Sequence, residues 1–205
     1  MAGSSIQAVV FDLGKVLVDF DYSLAAAKLE AQSKISALEL KRLLDQSPLL
    51  YRYETGLVST EEFFAEVQRH SGFRGELTEF GAIFGDIFSP IKPMIRLHAN
   101  LRTSGLPTYL LSNTNALAIE HIRRQFPFYG QFHGHILSFE HRAMKPDERL
   151  YEVAEALAGF QGANLLYIDD RPENIEAGKN RGWRTILHVS PDRTIEAVRS
   201  AGLLS

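Results

Sequence analysis

Residues 6–11 read Ile-Gln-Ala-Val-Val-Phe, an apolar run of strand length rich in β-branched side chains that stops at Asp12-Leu13-Gly14. Near-continuous apolar runs of this length mark strands covered on both faces. Three more follow at 107–111, 165–168 and 184–189, with a weaker one at 135–139. Between them apolar positions recur at helical spacing over 116–125, 150–157, 174–180 and 194–200. Pro146 and Pro191 stand where a first helical turn tolerates proline, and Ser190 precedes the second as a capping residue. Strands alternating with helices predict a parallel sheet covered on both faces.

About eighty residues between the first and second runs break this rhythm, and they carry helical periodicity over 24–34, 37–45, 61–70 and 76–84. Ser59 with Glu62 forms a capping-box pattern ahead of Phe63-Phe64. A helical insertion after the first strand predicts a cap over the C-terminal sheet edge, where open α/β folds bind ligands. Residues 20–22 and 87–93 are the expected hinges. The division expected is a core of residues 1–19 and 90–205 and an all-helical cap subdomain of residues 20–89.

Composition narrows the function. With 205 residues, 45% of them apolar, the chain supports a real core and excludes disorder. Its 22 Lys+Arg against 25 Asp+Glu leave a net charge of −3, without the broad basic footprint that nucleic acid requires. Absence of cysteine removes disulfides, thiolate nucleophiles and Cys-ligated zinc, and fits a reducing cytoplasm. Met1-Ala2-Gly3-Ser4-Ser5 lacks the basic start of a secretory leader, and no apolar run reaches the roughly 20 residues of a membrane span. The expectation is a soluble, cytoplasmic monomer or homodimer, with neither nucleic acid nor membrane as a partner.

Polar residues terminate the apolar runs. Asp12, Ser112 and the Asp169-Asp170 pair should gather at one sheet edge, with Lys145 in a loop before a helix. Carboxylates brought together repel unless a cation lies between them, and oxygen donors suit Mg²⁺. A hydroxyl and an ammonium beside them suit a phosphoryl group. Taken alone, such a residue is more often a helix cap or turn residue; their combination carries the signal.

In this order the strings resemble the haloacid dehalogenase superfamily over nearly the whole chain. Phe11-Asp12-Leu13-Gly14-Lys15-Val16-Leu17 resembles its first motif, Leu111-Ser112-Asn113 its second, and Met144-Lys145-Pro146-Asp147 its third. Tyr167-Ile168-Asp169-Asp170, followed by Arg171-Pro172-Glu173-Asn174, resembles its acidic magnesium motif. The resemblance implies a Rossmann-like α/β core with a helical cap. It further implies a Mg²⁺-dependent phosphatase in which Asp12 becomes an aspartyl-phosphate. Ser112, the Asn113 amide and Lys145 would hold the phosphoryl oxygens. Asp12, the Gly14 carbonyl and Asp170 would hold the metal, with Asp169 binding directly or through water. Asn174 would orient the acids or be solvated.

Gly14 departs from the pattern, because most phosphatases of the superfamily place a second Asp there as general acid, a contribution of about 10²–10⁴ in rate. Three substitutes are open: a good leaving group, as in a sugar-1-phosphate; a cap residue or water; or Lys15, although a lysine beginning a loop is more often simply solvated. Bacterial capped members that read Asp-Leu-Gly here include sugar-1-phosphate phosphatases, and the resemblance to them extends through Val18-Asp19-Phe20-Asp21 and Ser112-Asn113-Thr114-Asn115. A small phosphorylated metabolite is therefore the expected partner. Two other readings stand beside this one. Superfamily dehalogenases also lack the second Asp and need no magnesium, and a low-turnover ligand-binding protein could keep the same fold. Tyr51-Arg52-Tyr53-Glu54-Thr55-Gly56 resembles the cap's glycine-bearing, substrate-reaching stretch, and reads equally as a helix–helix turn. His133 with His135 reads as a surface pair, the aromatic run 126–129 as core, and Arg123-Arg124 as a solvated face.

Overall fold

The computed structural model describes residues 5–204; Met1–Ser4, part of the segment read above as lacking a leader, and Ser205 lie outside the described residues. Five parallel strands form the central sheet: β1 (Ala8–Phe11), β4 (Thr108–Ser112), β5 (Gly134–Leu137), β6 (Leu165–Asp169) and β7 (Arg184–Leu187), in the order β5-β4-β1-β6-β7. β1 is wholly buried between β4 and β6. Alternation along the strand sorts its side chains into two cores. Val9 and Phe11 join Leu110, Leu166 and Ile168 against α6 (Lys92–Thr103) and α7 (Ala116–Gln125). Ala8 and Val10 join Leu111, Leu165 and Tyr167 against α9 (Glu148–Ala158) and α10 (Pro172–Asn180). A short helix, α8 (Ser138–His141), follows β5, and α11 (Pro191–Ser200) is the last element, placing Val198 in the first core. The sheet is thus the covered parallel α/β core expected.

Two short strands open and close the helical insertion, β2 (Val18–Phe20) and β3 (Phe88–Pro90), paired antiparallel with Phe20 opposite Phe88. The stretches expected as plain hinges are therefore tied into a ribbon; at three residues each, the strands are too short for any periodicity. Between them lie α1 (Tyr22–Glu30), α2 (Ala37–Leu44), α3 (Pro48–Glu54), α4 (Thr60–Ser71) and α5 (Leu77–Gly85), packed about an aromatic core of Tyr53, Phe63, Phe80 and Phe84. The Ser59–Glu62 capping box is present.

Other expectations need correction. Residues 51–56, for which a helix–helix turn is one of two readings, begin as the end of helix α3, launched by the Ser47 cap with Pro48 in its first turn, and turn only at Thr55 and Gly56. Pro146 does not enter a helix: α9 begins at Glu148, and Asp147 is its cap, accepting the Arg149 N–H at 3.0 Å. The weak strand ends at Leu137, because Ser138 and Phe139 begin α8. Among the described residues no helix is long and apolar enough to cross a membrane.

Candidate active site

Parallel strands deliver their carboxyl ends to one edge of the sheet. Asp12 follows β1, Ser112 closes β4, and Asp169 closes β6 with Asp170 just beyond. Lys145, buried to 6% exposure, reaches this edge from the loop before α9. Its ammonium lies 2.8 Å from Asp12 Oδ1, 2.7 Å from Asp169 Oδ2 and 2.9 Å from the Leu111 carbonyl oxygen. These partners match the three protons of an ammonium, so Lys145 acts here as a fixed charge between two carboxylates.

Asp169 is the hub. Beyond Lys145 it accepts from the Tyr167 hydroxyl at 2.5 Å, the Arg171 N–H at 2.8 Å and the Asn174 amide at 3.0 and 3.1 Å. Asn174 thus orients an acid, one of the two roles open to it from sequence, and the Tyr151 hydroxyl steadies the Asn174 carbonyl at 3.0 Å. Asp12 instead keeps a sparser set, Lys145 and its neighbouring Leu13 N–H at 2.7 Å.

The segment after β4 ties the site together. Asn113 clamps the Lys145 backbone, accepting its N–H at 2.7 Å and donating to its carbonyl at 3.1 Å. The Ser138 hydroxyl accepts the Thr114 N–H at 2.9 Å and donates to the Glu54 carbonyl at 2.6 Å. Asn115 caps α7 through the Ala118 N–H at 3.0 Å, and its side chain bonds the Glu54 carboxyl.

Charge does not balance at this edge. Asp12, Asp169 and Asp170 each place an oxygen within 4.8 Å of the others, against the single ammonium of Lys145. Burial raises the Asp12 carboxyl above its usual range despite Lys145, with Asp169 adding repulsion. Asp170 is raised by burial and then by Asp169. Burial also opposes ionisation of Asp169, but Lys145 and the hydrogen bonds outweigh it and hold that carboxyl low. Burial would lower the Lys145 ammonium, yet Asp12 and Asp169 push it up. Two raised carboxylates beside an ionised third form an oxygen donor set that fits a divalent cation.

A cavity of about 50 Å³ opens between this edge and the insertion, lined by Gly14, Ser112 and Asn113 on one side and by Phe20, Glu54 and Phe88 on the other. Gly14 faces the Phe20 ring: a Cβ there would lie 2.9 Å from Phe20 Cε1. Lys15, considered as a proton donor, is paired with Asp19 and, at 2.9 Å, donates to the Phe20 carbonyl. His133 is exposed and His135 stacks on Tyr129, away from the acids. Phe128 and Tyr129 are core, as expected. Tyr167 and Ser138 were not singled out from sequence; Tyr167 had a signal, since residues two apart on a strand share a face.

Comparison with known proteins identifies the family. The haloacid dehalogenase-like hydrolase family matches residues 6–182. A sesquiterpene phosphatase of Aspergillus oryzae is 22% identical over 87% of this chain and 88% of its own. An (S)-2-haloacid dehalogenase of Pseudomonas putida is 25% identical over 87% and 82%. Among solved structures, a haloacid dehalogenase family enzyme of Bacteroides thetaiotaomicron in complex with magnesium and inorganic phosphate superposes with a TM-score of 0.77 at 20% identity, covering 89% of this chain and 93% of that one. The family match spans β1 to β6, the insertion and every residue of the acidic edge, and the chain belongs to the haloacid dehalogenase-like hydrolases.

Proposed function

We propose that this hydrolase is a Mg²⁺-dependent phosphatase of a small phosphate monoester, a sugar-1-phosphate being the favoured substrate, with residues 20–89 serving as its cap. The observation that carries the reading is the uncompensated carboxylate cluster of Asp12, Asp169 and Asp170 around one lysine. A dehalogenase has no use for such an excess of buried negative charge, whereas a cation resolves it.

Asp12, Asp170 and the Gly14 carbonyl would hold Mg²⁺, and Asp169, already committed to four donors, would reach it through water. Bound there, the metal supplies positive charge beside the phosphoryl oxygens. Asp12, the less encumbered carboxylate, attacks phosphorus; the bond to the leaving oxygen breaks and an aspartyl-phosphate forms. Water then attacks phosphorus, and the Asp12 carboxylate and inorganic phosphate are released. Ser112 and the Asn113 backbone N–H hold phosphoryl oxygens at the end of β4. Lys145 favours the ionised form of Asp12 against its burial and aims it.

The test is a screen of phosphorylated metabolites and 2-haloacids, with magnesium and after chelation, on the wild type and on Asp12→Asn. The expected result is phosphate release that needs magnesium and is abolished by the substitution. Metal-independent release of halide would overturn the reading in favour of the dehalogenase alternative, which the sequence relatives in Pseudomonas favour.

A further inference from the structure

A phosphatase reaction at Asp12 leaves an alkoxide that needs a proton, and Gly14 has no side chain to provide one. The space beside it is closed by the Phe20 ring, so no group can be supplied from that position without rebuilding the wall. Another carboxyl lines the same cavity. Glu54, the last residue of α3, lines it from the insertion side together with Gly14, Ser112, Asn113 and Asn115.

Its placement is fixed from three directions. The preceding residue, Tyr53, accepts the Leu117 N–H with its hydroxyl at 3.2 Å, joining α3 to the start of α7. The Glu54 carbonyl receives the Ser138 hydroxyl at 2.6 Å. Two residues on, Gly56 at φ +69° presses so close to the core that a Cβ would lie 2.1 Å from the Phe139 carbonyl oxygen. Asn115, whose oxygen is spent capping α7, turns its amide to the Glu54 carboxyl. Such support belongs to a side chain whose position matters.

We propose that Glu54 is the proton-transfer residue that replaces the acid missing at Gly14. This rests on the phosphatase reading above. As Asp12 bonds to phosphorus, the leaving P–O bond breaks with its electron pair on oxygen, and that oxygen takes the proton of the Glu54 carboxyl. In the second step the Glu54 carboxylate removes one proton from water as the water oxygen bonds to phosphorus. The P–O bond to Asp12 then breaks, its electron pair returns to the Asp12 carboxylate, and Glu54 is again protonated. The electrostatics support the role: burial pushes the Glu54 carboxyl up to about 7, opposed by the Asn115 hydrogen bond and Arg171 and reinforced by Asp45. The Tyr22 phenol of α1, itself raised by burial, also feels its charge. A carboxyl near neutrality serves both half-reactions.

The experiment compares wild type and Glu54→Gln, in saturating magnesium, on alkyl and aryl phosphates spanning a range of leaving-group acidity. Glu54→Gln is expected to lower kcat/KM on alkyl phosphates about 10²–10⁴-fold and on 4-nitrophenyl phosphate less than about tenfold. It should also erase the fall in kcat/KM above pH 7. An equal loss across all leaving groups with the pH profile unchanged, or a change in KM alone, would overturn the assignment in favour of plain substrate binding. Should Glu54→Gln fail to fold, Glu54→Asp carries the test: it must keep the high-pH limb while losing rate chiefly on alkyl esters, and a flat profile would overturn the assignment. Wild-type inactivity on the whole series is a separate result, and sinks the phosphatase reading itself.

Discussion

Replacing Gly14 with alanine tests whether the Phe20 ring occupies the space of the missing side chain. The new Cβ would sit 2.9 Å from Phe20 Cε1, roughly 0.7 Å inside ordinary carbon–carbon contact. Relief requires the ring to tilt, yet it packs 5.8 Å from the Tyr22 ring and 6.0 Å from Phe88, and it lies 4.5 Å below the Lys15 ammonium. Overpacking of this kind costs about 1–3 kcal/mol, so a loss of about 1–2 kcal/mol is expected for a ring that is partly free to move. Urea denaturation of the wild type, Gly14→Ala, Phe20→Leu and the double variant measures the coupling. Shortening Phe20 should recover at least about 1 kcal/mol of the alanine's cost, whereas additivity within about 0.5 kcal/mol would refute the steric argument. The same cycle governs any attempt to install an acid at position 14: Gly14→Asp needs Phe20 shortened first.

Gly56→Ala meets both a left-handed backbone and a carbonyl that cannot retreat, so a loss of about 3 kcal/mol is expected, read by urea denaturation; a loss under about 1 kcal/mol would contradict the packing of Gly56 on Phe139. Asn113→Ala removes both bonds to the Lys145 backbone and should cost about 2 kcal/mol with a fall in kcat, whereas unchanged turnover would show that the clamp does not position the lysine. His98 is buried between Thr108 and the Phe132 ring, and burial lowers its imidazole to about 4. Between pH 6.5 and 4 the unfolded chain binds that proton and the native one does not, so stability falls as the solution is acidified through this window. His98→Leu should flatten the dependence of Tm on pH there, and an unchanged slope would assign it to other groups.

Much of this was legible in the chain because buried parallel strands announce themselves as apolar runs and end in the residues they deliver. Asp12, Ser112 and Asp169 were placed at one edge on that ground alone. The division of labour among the acids was not legible. Asp169 becomes the hub through Tyr167, Asn174 and Lys145, and Lys145 arrives from a different loop. The ribbon of β2 and β3 escaped notice for want of length, and α3 because its seven residues ran into a glycine that also reads as a turn. Glu54 was visible only as part of a stretch with two readings. Its significance depends on Phe20 closing one wall of the cavity, a contact between positions whose spacing follows no helical or strand rule.

The cavity beside Ser112 takes its walls from both the core and the insertion. Gly14, Ser112 and Asn113 form one wall and Phe20, Glu54 and Phe88 the other, so the position of the insertion sets the room a ligand finds there. The Ser138 bond to the Glu54 carbonyl and the Tyr53 bond to the Leu117 N–H tie α3 to the core, so a movement of the insertion that widened the cavity would have to break and remake them. Solvent viscosity should then slow kcat wherever that motion, rather than chemistry, sets the pace.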